Sequence, residues 1–149
     1  MNDKRTTTPD EFDELAGMYS PSSLGEIDAV QIVDLRGSGD PGRLQHIRLV
    51  GLPETRVEGE VAQRIATLWR ALSLGWQSRC HIPPFGLRFF SAGTVVVEAS
   101  ICWQCDNAHG YERGESMFFG FKSGAPEAVE LLNLLKSQTS SPEAADERL

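Results

Sequence analysis

The chain lacks several features, and each absence closes a class of function. No apolar stretch approaches the roughly 20 residues a membrane-spanning helix needs, so no membrane role is expected. The opening residues "MNDKRTTTPDEFDELAG" carry no apolar segment of the kind a secretory leader has. A cytoplasmic setting is therefore expected, where thiols stay reduced. Cysteines number three, an odd count that argues against a disulfide framework. Basic residues are outnumbered, 14 against 21 acidic, which leaves a formal charge of −7. The cations Arg43, Arg48, Arg64, Arg70, Arg79 and Arg88 form no run. A phosphate backbone would be repelled by that field, so no nucleic-acid partner is expected. There is also no paired-carboxylate site, no Ser-His-Asp pattern and no phosphate-binding loop.

What is present suits one core. At 149 residues and 40% apolar composition, the chain is long and apolar enough for a single domain. Residues 1–23 are expected to be a flexible arm and residues 138–149 a polar, disordered tail, leaving 24–137 as the domain. Within the arm, "TPDEFDELAG" has a short helix signature: Thr8 as cap, Pro9 in the first turn, Glu11 three after the cap and Gly17 as stop. Phe12, Leu15 and Ala16 would share one face, but so short a helix is marginal unless it docks.

Residues 26–35 and 43–51 each read as a strand. The intervening "GSGDPG" resembles a dinucleotide loop only formally. A strand follows it where a phosphate site needs a helix, Pro41 lacks a donor, and Asp40 would repel phosphate. In "ETRVEGEVAQRIATLWRALSLG", Val61, Ile65, Leu68 and Leu72 recur at helical spacing. Thr55 with Glu58 would form a capping box, Gly75 would stop the helix, and Trp69 would border the apolar stripe. A second helix is expected over 126–136, with Pro126 early and Lys136 late.

Between the helices, strands are expected at 85–91 and 95–102, joined through "SAG", and a last strand at 116–121. A three-residue loop pairs odd residues with odd. Phe85, Leu87, Phe89, Val95, Val97, Ala99 and Ile101 would then form one apolar face under the helices. Gly86, Arg88, Val96, Glu98, Ser100 and Cys102 would fall on the other, polar face. The expected fold is α+β: a mainly antiparallel sheet of four or five strands, with two helices on one face.

The chemistry concentrates in "ICWQCDNAHG", Ile101 to Gly110. Cys102 and Cys105 are three apart, and a chain that curls after Cys102 brings Cys105 back beside it, with Cys80 near both. Cys80, Cys102, Cys105 and His109 make a formal Cys₃His set for zinc, the fourth place otherwise falling to His81 or water. Two other readings stay open. Free cysteines often pack as small buried hydrophobes. A redox pair at Cys102 and Cys105 has a preceding strand in its favour, but "DNAHGYERG" is too turn-rich for the helix that lowers a thiol's pKa. Cys80 and His81, adjacent on an extended segment, would face opposite ways, which counts against a Cys–His nucleophile.

The segments Cys80-His81-Ile82-Pro83 and Ile101-Cys102-Trp103-Gln104-Cys105 resemble those of a group of short uncharacterised bacterial proteins. These carry C-F-x-P-x-H, then a strand, then I-C-F-x-C. Phe85 stands here where the group tends to have histidine, and His81 where it has phenylalanine. The resemblance implies that the cysteines act as a unit, and it names no reaction. The expectation is a small domain with a three-cysteine site, structural or zinc-binding, acting through a protein partner. The alternative is a thiol-redox or cysteine-dependent enzyme using Cys102 and Cys105.

Overall fold

Apolar alternation in the Phe85–Ile101 hairpin organises the molecule. The computed structural model describes residues 19–37 and 52–139. Its strands are β1 (Ala29–Asp34), β2 (Glu54–Glu58), β3 (Phe85–Ser91), β4 (Thr94–Cys102), β5 (Asn107–Glu112) and β6 (Glu115–Gly120). Helix α1 is Gly59–Arg70 and helix α2 is Pro126–Thr139. The strands form one sheet in the order β2-β1-β3-β4-β5-β6, and every neighbouring pair is antiparallel.

The pairs Phe85↔Ile101, Leu87↔Ala99 and Phe89↔Val97 place the expected odd residues on one face, and all six are essentially buried. Ile65, Leu68 and Trp69 of α1, with Leu131 and Leu135 of α2, join that face in one core cluster. A one-residue slip would turn those six residues outward. At about 1.5–3 kcal/mol for a large apolar side chain, that costs on the order of 10 kcal/mol, comparable with a whole domain's stability. The register is therefore strongly specified. The loop differs from expectation. Ala92 and Gly93, with φ of 53° and 84°, form a two-residue turn, and a bulge at Phe89/Phe90 leaves Val96 without a partner on β3. The bulge restores the odd parity that a two-residue turn would otherwise break. Val96 is buried as a result, and Val95 is only half-buried.

The α+β class is as expected, but among the described residues the sheet has six strands, not four or five. Two were missed. Residues 54–58, read as the start of the helix, pair with β1 through Val30↔Val57 and Ile32↔Thr55. Thr55 and Glu58 therefore make no capping box; the chain enters α1 through Gly59 at φ 65°. Residues 107–112, read as turn, pair on both sides with β4 and β6. The expected strand at 43–51 and the helix signature at 8–17 lie outside the described residues. Helix α1 ends at Arg70, not at Gly75. Helix α2 runs to Thr139, past the point where the tail was expected to begin. Trp69 is central, not peripheral. It is fully buried, with ring centroids 5.1 Å from Phe89 and 5.3 Å from Phe119. Tyr19, in the expected arm, is buried 6.3 Å from Trp69, and its amide donates to the Phe118 carbonyl.

After α1 the chain passes the β6 edge, where Leu74 bridges Phe121 and the Gly75 amide donates to the Gly120 carbonyl at 3.0 Å. Residues 75–84 then cross the sheet face opposite the helices as a strap, which ends where the Pro84 carbonyl accepts from the Leu35 amide. The strap lies close to the sheet. A Cβ on Gly120 would stand 2.4 Å from the Gly75 carbonyl oxygen.

Candidate functional site

The strap and the β4–β5 turn bring the three cysteines together. Cys102 ends β4, and the Trp103–Asp106 turn reverses the chain, with Asp106 at φ 58°. Asp tolerates this left-handed conformation better than most residues. Cys105 is thereby folded back, and its amide donates to the Cys102 sulfur at 3.1 Å. The Cys102 thiol in turn donates to the Ile82 carbonyl of the strap at 3.3 Å. The Ser78 amide donates to the Cys105 carbonyl at 2.9 Å, which aligns the strap with the turn.

Cys80 and Cys105 are joined in a disulfide, with Cα atoms 5.6 Å apart, inside the usual span of about 4.4–6.8 Å. Cys102 is the free thiol. The bridge stands against what the odd cysteine count argues, and it joins Cys105 to distant Cys80 and not to Cys102, its neighbour in sequence. The reason is tertiary: the strap delivers Cys80 from 25 residues away. Cys102 and Cys105 expose nothing, whereas Cys80 is exposed. Cys102 lies on the expected face, but that face is covered here by the strap.

Beside the disulfide lies a histidine network that the sequence did not announce. Asn107 Nδ2 donates to the carbonyls of Ser78 (3.2 Å) and Cys80 (2.7 Å). Its Oδ1 must then accept, so His81 Nδ1 carries the proton and donates to it at 2.6 Å. His81 Nε2 is left to accept from the Ser100 hydroxyl at 2.7 Å. Burial pushes the His81 pKa down to about 4, against the pull of the Asn107 hydrogen bond, so the ring is neutral near pH 7. His109 packs on it with ring centroids 4.3 Å apart, and its own pKa is also lowered by burial. The Nε2 of His109 is buried without a hydrogen-bond partner.

Ser100, His81 and Asn107 thus have the connectivity of a hydrolytic triad. The surroundings do not suit that chemistry. Ser100 is fully buried in mid-strand, Asn107 is 1% exposed and His81 8%, so a carbonyl substrate has no approach to the hydroxyl. What the arrangement does is satisfy a buried polar cluster and fasten the strap to the sheet.

Of the expected metal set, Cys80, Cys102 and Cys105 converge, while His109 is on β5 against His81. With Cys80 and Cys105 joined, Cys102 is the one thiol among them. Among the described residues, no group of three or more His, Cys, Asp or Glu is placed to hold a metal ion.

Comparisons with family models, curated proteins and solved structures found no match.

Ser100 and Asn107 escaped the sequence reading because alternation placed Ser100 on a solvated face and Asn107 belongs to a run of turn formers. No local signal identifies either. Farther along the strap face, Arg88 donates to Glu98 at 3.2 Å and to Gln31 at 2.8 Å, and Gln31 donates to Glu54 at 2.7 Å. Polar partners link four strands there. None of the described helices is long and apolar enough to cross a membrane.

Proposed function

We propose that this chain is a small non-enzymatic interaction domain. Its three-cysteine site fastens the strap across the sheet and so presents a surface to a protein partner. One observation carries the reading. Five large apolar side chains are exposed among the described residues, and four of them, Leu74, Trp76, Ile82 and Phe118, lie on the strap or on the β6 edge beside it. Trp76 is the most exposed, at 63%. Contiguous exposed apolar surface marks contact sites. The nucleophile-like groups face inward and hydrogen-bond to one another, as a structural site requires. The resemblance of the cysteine segments to a group of short bacterial proteins fits a unit that works as a whole.

The test is photo-crosslinking in cells that make the protein, with a benzophenone amino acid at Trp76, at Ile82 and at the exposed control position Asn133 on α2. A discrete adduct from the strap positions, absent from the control, supports the reading. Uniform or absent crosslinking at all three would remove it.

A second reading rests on the unpartnered Nε2 of His109. In reduced protein, Cys80, Cys102 and Cys105 would offer three sulfurs for zinc, with that nitrogen as a fourth donor. Metal analysis of protein purified under reductant and without chelator decides it. About one zinc per chain supports the metal reading, and none refutes it.

A further inference from the structure

We propose that Cys80, Cys102 and Cys105 form an internal thiol–disulfide exchange unit, in which Cys102 displaces Cys80 from Cys105 and frees a thiol on the strap. The inference rests on the strap reading above and adds a control to it. Three observations carry it. The Cys102 sulfur is free, and it accepts from the Cys105 amide at 3.1 Å, which keeps it beside the backbone of the bridged Cys105. Cys102 and Cys105 are three apart across a turn. A β-turn brings such Cα atoms within about 7 Å, close to the span a disulfide tolerates. Cys80, the sulfur to be expelled, is the exposed member of the three, so its thiolate leaves into water.

The step balances without an outside oxidant. The Cys102 thiol lets go of the Ile82 carbonyl and passes its proton to water admitted as that part of the strap lifts, and the thiolate attacks Cys105 Sγ. The Cys102–Cys105 bond forms as the Cys80–Cys105 bond breaks. The departing electron pair stays on Cys80 Sγ, which takes a proton from water. One disulfide and one thiol remain, and only the bridged pair has changed. The amide that donates to Cys102 stays aimed at that sulfur as its charge develops. The exchange removes the covalent pin from the strap. His81, the Asn107 side chain and the main-chain bonds then hold it, and the new thiol stands on the segment that carries Trp76 and Ile82.

Trypsin makes the exchange directly readable. Cleavage after Arg79, Arg88 and Arg113 puts Cys80 in residues 80–88 and both Cys102 and Cys105 in residues 89–113. Oxidised full-length protein is held with iodoacetamide at mildly alkaline pH, acid-quenched at intervals, and digested without reductant. The expected result is a steady loss of the cross-linked peptide pair. It is matched by a rise of the 80–88 peptide alkylated on Cys80 and of an 89–113 peptide carrying an internal disulfide. Cys102→Ser should abolish both products. Should that variant fail to fold, the wild-type time course alone decides. A pair that stays cross-linked and unlabelled overturns the proposal, as does label on Cys102 with the cross-link intact. Either outcome leaves the partner reading standing, since crosslinking from Trp76 tests that separately.

Discussion

Acid should loosen this protein through His81 before the bulk of its carboxylates titrate. The ring is buried and neutral, fixed between Asn107 and Ser100, with a pKa of about 4 against 6.5 for a free imidazole. Between those values the unfolded chain binds a proton that the folded chain refuses. Stability is therefore fully present above about pH 6.5 and is lost as pH falls toward about 4. Below that, both states carry the proton and the loss stops growing. The interval, at about 1.4 kcal/mol per pH unit, comes to about 3 kcal/mol. His109 contributes in the same direction, since burial lowers its pKa too. The assay is urea unfolding near pH 7 and near pH 4.5, on wild type and His81→Gln. Glutamine carries a donor and an acceptor but does not titrate, so the carboxylates' share is common to both proteins. Wild type should lose about 2–3 kcal/mol more than the variant between the two conditions. With urea slopes of about 1–3 kcal/mol per molar, that is a midpoint difference on the order of 1 M. Equal losses, or an NMR titration of His81 near pH 6.5, would refute the reasoning.

Further outcomes follow from the same geometry. Reducing the Cys80–Cys105 bridge frees a loop with a sequence separation of 25, worth about 3.5 kcal/mol of chain entropy. A reductant should therefore lower the unfolding midpoint, and oxidised protein in denaturant should titrate as a single thiol; three thiols would contradict the bridge. Ser100→Ala removes the donor to His81 Nε2 and should cost about 1–3 kcal/mol in thermal or urea unfolding. Fluorophosphonate probes should leave wild-type Ser100 unlabelled, and a labelled Ser100 would reopen the hydrolytic interpretation. Gly120→Ala drives a Cβ against the Gly75 carbonyl and should destabilise by about 1–3 kcal/mol. Gly25→Ala, with nothing within 4 Å of the added carbon, should be close to neutral in the same melts.

Local pattern determined the halves of the molecule that repeat with a fixed period. Odd apolar residues from Phe85 to Ile101, Val95 beside the bulge excepted, defined the core face, because side chains alternate along a strand and one face had to be buried. Val61, Ile65 and Leu68 defined α1 in the same way, since their spacing matches a helical turn. The convergence of Cys80, Cys102 and Cys105 was also legible, from a turn after Cys102 and a proline-interrupted approach to β3. Tertiary structure decided the rest. Residues 54–58 and 107–112 became strands because β1, β4 and β6 offered them unpaired backbone, which no local propensity reports. The bridge went from Cys105 to distant Cys80, and not to its neighbour in sequence, because the strap wraps round the β6 edge. Ser100 and Asn107 share the β4–β5 hairpin, but His81 comes from far earlier in the chain, and only the strap's path over β4 and β5 makes the three one hydrogen-bonded cluster. Periodicity encodes which way a side chain points, and contacts across long loops depend on where the whole chain has room to go.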